Sequence, residues 1–145
     1  MVPPLNAGHL NQITSTIIAK AIAIHRELGP GLLENAYLSC LCYELHLAGL
    51  HLEMQKPIPL TYHSVTIDCA YRADLVVENF VIAEVKALES LAPIHSRQLF
   101  TYLKLANCPV GLILNFGAQT MKAGITRVVN GFPHEGVGPF DGRPA

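Results

Sequence analysis

Charge is scarce in this chain. Only 14% of its 145 residues are Asp, Glu, Lys or Arg, while half are hydrophobic. Disordered chains show the opposite balance, so this one is expected to fold. Its length suits one domain with one real core. A basic excess is also lacking: the formal net charge is −1 and the pI near 6.6. That argues against tight, non-specific nucleic-acid binding by a monomer, but leaves room for a locally basic cleft. No apolar run reaches the roughly 18 residues of a membrane span. Met1 to Leu10 carries no basic segment followed by an apolar run, so no secretory signal is expected and a cytoplasmic location is.

Other absences narrow the chemistry. The cysteines Cys40, Cys42, Cys69 and Cys108 form no CxxC pair. Two residues apart on a helix, Cys40 and Cys42 point about 200° from each other and cannot share a metal. Reduced, buried thiols are the expectation. There is no GxxxxGK[ST], no GxGxxG after a strand, no HExxH and no cysteine-histidine zinc spacing. No GxSxG elbow supports a serine nucleophile.

Apolar positions Ile13, Ile17, Ala21, Ile24 and Leu28 recur at helical spacing, predicting a helix over 10–28 that stops at Gly29-Pro30-Gly31. A second helix is expected over 32–48, with the stripe Leu38, Leu41 and Leu45 and Gly49 as its terminal cap. Pro57 and Pro59 make any strand over 54–62 an edge or interrupted one. Residues 65–70 and 71–77 read as extended segments, Glu78-Asn79 as a tight turn and 80–86 as a short buried strand. Pro93 opens a third helix, about 94–106, and 110–115 and 125–129 read as two more strands. From Gly131 onward seven of fifteen residues are Gly or Pro, so residues 1–130 are expected to form the domain and 131–145 a flexible tail. The order implies α/β architecture, with helices packed on one mixed sheet.

Glu84-Val85-Lys86 is the one acid-x-lysine triplet in the chain. Residues two apart on a strand share a face, so Glu84 and Lys86 point together. Charges at the end of an apolar strand need a partner or a metal. Asp74 lies ten residues earlier on the preceding strand, and a short turn brings it beside Glu84. Two converging carboxylates make an oxygen-rich pocket that suits Mg²⁺. The competing reading is a plain salt bridge between Lys86 and one carboxylate. Glu34 falls in the first turn of the second helix, where an acid also answers the helix dipole. Tyr37 is one turn on, on its face. His95, Gln98 and Tyr102 form one stripe of the third helix, either at a cleft or as a solvated edge.

The stretch IHRELGPGLLENAY resembles the signature of the GxxExxY family, read from Gly31 to Tyr37. The blocks YELHLAGL, QKPIPLTY, YRADLVVEN, VIAEVKAL, HSRQLFTYLKL, GLILNFG and GITRVV are similar to it in order, over roughly residues 10 to 130. That family is grouped with the PD-(D/E)XK nuclease-like superfamily. The resemblance implies a restriction-endonuclease-like core, a mixed β-sheet flanked by α-helices. It also implies roles. Asp74 and Glu84 would be the metal-binding acids and Lys86 the catalytic lysine, with Glu34 helping to position metal or water. Gln98 and Tyr102 match a QxxxY motif on the following helix. Residue 73 is Ala where the motif's name has Pro. The activity implied is Mg²⁺-dependent phosphodiester hydrolysis, with Mn²⁺ as a substitute. The metal would rest on Asp74, Glu84, the Val85 carbonyl and Glu34. Catalysis would fall to Glu34, Asp74, Glu84, Lys86 and Gln98, and substrate contact to Tyr102, His95 and Tyr37. The expected partner is nucleic acid, DNA ahead of RNA, with a homodimer or partner protein completing the site. A nuclease-fold binding module without turnover is the alternative.

Overall fold

The computed structural model describes residues 6–131. Except for Gly131, the expected tail lies outside the described residues. Helix α1 spans Ala7–Leu28, three residues longer at its start than the apolar stripe predicts. The Asn6 side chain accepts the His9 N–H at 2.8 Å and caps the added turn. Helix α2 covers Glu34–Leu47 and starts two residues later than expected. Leu33 is extended there, and the Leu32 N–H donates to the Tyr37 hydroxyl at 3.0 Å. At its other end Gly49 adopts φ 83°, and the Gly49 and Leu50 N–H groups close on the carbonyls of His46 and Leu45.

Five strands follow in sheet order β1-β2-β3-β4-β5: Leu52–Tyr62, Val65–Val77, Val81–Lys86, Val110–Asn115 and Ile125–Val129. Helix α3, Pro93–Ala106, crosses between β3 and β4, which are therefore parallel; every other pair is antiparallel. This is an α/β fold with a mixed sheet flanked by helices, as the sequence suggests. Pro57 and Pro59 sit in β1, which is an edge strand and continuous. The two expected segments of β2 are likewise one strand. Its first half carries exposed side chains because only β1 lies beside it there. That exposure also corrects one thiol: Cys69 is exposed, whereas Cys42 and Cys108 are buried and Cys40 is half-buried. The three-residue turn to β3, Glu78-Asn79-Phe80, has Glu78 and Asn79 both at positive φ, 53° and 63°, and the Phe80 N–H donates to the Val77 carbonyl at 3.1 Å.

The sheet separates two apolar layers. Leu75, Val77, Val81, Ala83 and Val85 pack against α1 and α2. Ala73, Val76, Ile82 and Ile113 pack against Leu99 and Leu103 of α3. Glu84 lies between Ala83 and Val85 on β3, so it projects to the α3 side. Among the described residues no helix is long and apolar enough to cross a membrane.

Candidate active site

The pairing of β2 with β3 runs from Val77↔Val81 to Leu75↔Ala83 and stops there. One residue further, where Asp74 and Glu84 would face each other, side chains replace the ladder. The Asp74 carboxylate accepts the Val85 N–H at 2.9 Å, and the Glu84 carboxylate accepts the Asp74 N–H at 3.4 Å. The alternation of β2 changes phase at the same place. Tyr71 and Ala73 lie in the α3 layer, but Leu75, of the same parity, lies in the α1–α2 layer. Opposite, Gln55 has φ 50° and falls between the paired residues Met54↔Leu75 and Lys56↔Ala73. The parting of the strands thus brings two carboxylates together at the sheet interior.

Glu84 is only 5% exposed. Burial, and after it the negative charge of Asp74, pushes its carboxyl from 4.5 up to about 8. The Tyr71 hydroxyl donates to Glu84 Oε1 and works the other way, favouring the ionised form. Tyr71 in turn lies flat on Tyr102 of α3, with ring centroids 3.3 Å apart and planes 9° apart. Burial, followed by the charge of Glu84, raises both phenols above their usual range. On the opposite layer burial raises the Cys42 thiol to about 11, with a further contribution from Asp74.

The remaining candidates stand at different distances from this centre. Lys86 ends β3 two residues after Glu84 and is half-buried. Among the described residues it forms no ion pair, so the simple salt bridge is not what holds the acids. Its carbonyl accepts the Phe116 N–H at 2.8 Å. Tyr102 joins the acids through Tyr71. Glu34 is exposed as the first residue of α2, and Gln98 is exposed on α3; neither bonds directly to Asp74 or Glu84. His95 is half-buried, and its Nδ1 accepts the Ala92 N–H at 3.1 Å, closing the first turn of α3.

Tyr37, expected beside substrate, is fully buried instead. Its ring stacks on Phe116 at 4.4 Å and its hydroxyl donates to the Gly29 carbonyl at 2.5 Å. It pins the Gly29-Pro30-Gly31 loop.

Two residues escape the sequence reading. Tyr71 is one; its place in the YRAD block three positions before Asp74 is the only hint. Asn115 is the other, a polar residue closing the apolar run VGLILN. It is 2% exposed and binds both backbone groups of Leu88, at 2.8 and 3.1 Å, and the Gly117 N–H at 3.2 Å. It thereby fixes the chain just after Lys86.

Chemically, among the described residues the centre offers two carboxylates and no sulfur or nitrogen ligand. That set suits a hard divalent cation which retains several waters. A cation there would also offset the burial of Glu84. Among the described residues no group of three or more His, Cys, Asp or Glu gathers at one point, so a cation would draw its remaining ligands from backbone, water or substrate.

A family model for the PD-(D/E)XK nuclease superfamily matches residues 11–128. No curated protein and no solved structure matches the chain. The match covers β1 to β4, β5 up to Val128, and both carboxylates, and the chain belongs to the PD-(D/E)XK nuclease superfamily.

Proposed function

We propose that this protein is a Mg²⁺-dependent nuclease that hydrolyses phosphodiester bonds, with DNA as substrate, and that it belongs to the GxxExxY branch. The observation that carries the reading is the meeting of the Asp74 and Glu84 carboxylates where β2 leaves β3, with Lys86, which has no ion-pair partner among the described residues, two residues on. Asp74 and Glu84 would hold the metal, with the Val85 carbonyl as a further oxygen donor, Glu34 acting on it through a bound water, and Mn²⁺ as a substitute. Bound there, the metal supplies a Lewis acid for the phosphodiester and a water of lowered pKa.

The protein's own residues do the rest. Asp74 is held by the Val85 N–H, and Glu84 by the Tyr71 hydroxyl and the Asp74 N–H, so both carboxylates are oriented in advance. Lys86 donates to the phosphate as charge builds on it. Gln98, Tyr102 and His95 on α3 position the strand. Tyr37 has a structural part in this scheme. The site operates in the cytoplasm, with a second copy or a partner protein supplying the surface that duplex cutting needs.

The test is incubation of the purified protein with single- and double-stranded DNA and RNA, in Mg²⁺, Mn²⁺ or EDTA. Cleavage is expected in either metal, none in EDTA, and a loss of at least ~100-fold in Lys86→Ala. Cleavage unchanged in that variant would overturn the role of Lys86.

The net charge of −1 favours a second reading, a nuclease-fold binding module without turnover. Nucleic-acid binding that ignores metal, together with no cleavage, would select it.

A further inference from the structure

The loop after β4 links the carboxyl end of the parallel strand pair to the end of α1. The Phe116 N–H donates to the Lys86 carbonyl at 2.8 Å. Two residues on, the Ala118 carbonyl accepts from His25 Nε2, also at 2.8 Å. Between this loop and the end of α1 opens a cleft of about 570 Å³. Its polar lining is His25, Arg26, Gln119, Thr120 and Lys122, and among the described residues no acid lines it. Neither Arg26 nor Lys122 forms an ion pair among the described residues. His25 is 7% exposed, so its bond to Ala118 fixes the wall that carries Arg26.

The chain has 10 basic and 11 acidic residues. Two cations with no ion-pair partner among the described residues, on one concave surface, are therefore a local positive feature on a molecule without general basic character. The cleft also lies at the carboxyl ends of parallel strands, where open α/β sheets gather ligands. Arg and Lys with uncharged donors such as Gln and Thr form the usual set for phosphate oxygens.

We propose that this cleft is a second nucleic-acid contact, in which Arg26 and Lys122 hold backbone phosphates of the strand that is cut at Asp74 and Glu84. The contact is independent of sequence and rests on the nuclease reading. It explains how a chain of nearly neutral charge retains a polyanion.

The test is binding of fluorescein-labelled duplex and single-stranded DNA to the full chain over a salt series, with Ca²⁺ replacing Mg²⁺. Each phosphate contact contributes about 0.9 to the slope of log affinity against log salt on duplex. Arg26→Ala/Lys122→Ala should therefore lower the slope by about 2 and the low-salt affinity by at least ~10-fold. Lys20→Ala/Lys56→Ala removes the same charge at positions paired with Glu44 and Glu53 and should leave the slope unchanged. Arg26→Lys/Lys122→Arg keeps both charges and should retain the wild-type slope. Mn²⁺ titration of each variant reports whether the fold and the carboxylate pair survive. An unchanged slope in Arg26→Ala/Lys122→Ala, or an equal fall in both alanine variants, overturns the proposal while the nuclease reading stands. Wild-type protein that binds no DNA overturns both.

Discussion

The Asp74 carboxylate accepts the backbone N–H of Val85 at 2.9 Å, just beyond the last β2–β3 pair, Leu75↔Ala83. A side chain thus does what a strand carbonyl does elsewhere in the ladder. This holds the two strands together while they diverge, and it directs Asp74 toward Glu84. The same contact makes the site costly in the absence of a cation, since Glu84 is buried beside a second acid.

That cost appears as a pH dependence. The Glu84 carboxyl rises from 4.5 to about 8 on folding. Between those values the folded protein keeps a proton that the unfolded chain has released, so stability falls as pH rises. The stabilisation is full below pH 4.5 and gone above about 8. Denaturation in EDTA should therefore show a loss on the order of a few kcal/mol from pH 5 to 8. Glu84→Gln should flatten the profile over that range. An equal loss in Glu84→Gln would assign it to another group.

Tyr71→Phe keeps the ring on Tyr102 and removes only the hydroxyl that donates to Glu84. That bond favours the ionised carboxylate, so its loss should move the pH transition upward. Partners of metal ligands are typically worth 10- to 100-fold in affinity, and Mn²⁺ binding should weaken by roughly 10-fold or more. Calorimetric titration reads the effect directly. An unchanged dissociation constant would reduce Tyr71 to a packing residue.

Asn115→Ala strips three hydrogen bonds from Leu88 and Gly117 in a buried place. Unsatisfied backbone groups should cost about 2–4 kcal/mol in chemical denaturation. Gly117→Ala attacks the same junction, because its methyl would press on the Leu88 backbone. Cleavage should fall in both variants by more than Mn²⁺ affinity does, since the junction sets Lys86 rather than the two acids. A cost below about 1 kcal/mol for Asn115→Ala would show that the loop holds without it.

Much of this was legible in the residues. Val110–Asn115 and Ile125–Val129 match the expected strands because apolar runs between breakers leave few alternatives. A short turn between consecutive strands suffices to bring Asp74 beside Glu84, whereas the change of phase in β2 at that point is not written in its alternation. The family blocks pointed to the same superfamily as the matching model. The joined β2 was harder to read, because Thr66, Asp68 and Arg72 interrupt its apolar pattern on an exposed arm. Tyr71 was invisible because its importance comes from a stack with a residue 31 positions away, which local pattern cannot encode. Tyr37 misled for the opposite reason: its spacing from Glu34 was helical, yet its ring turns into the core while Glu34 faces solvent.

The proposed chemistry requires Asp74 and Glu84 to share one divalent cation. Crystals soaked in Mn²⁺ and measured for anomalous scattering test it most directly. A single peak is expected, with oxygens of both carboxylates at about 2.1 Å, the spacing of small hard divalent ions. A map with no peak between the two acids, or with manganese bound only elsewhere, would contradict it.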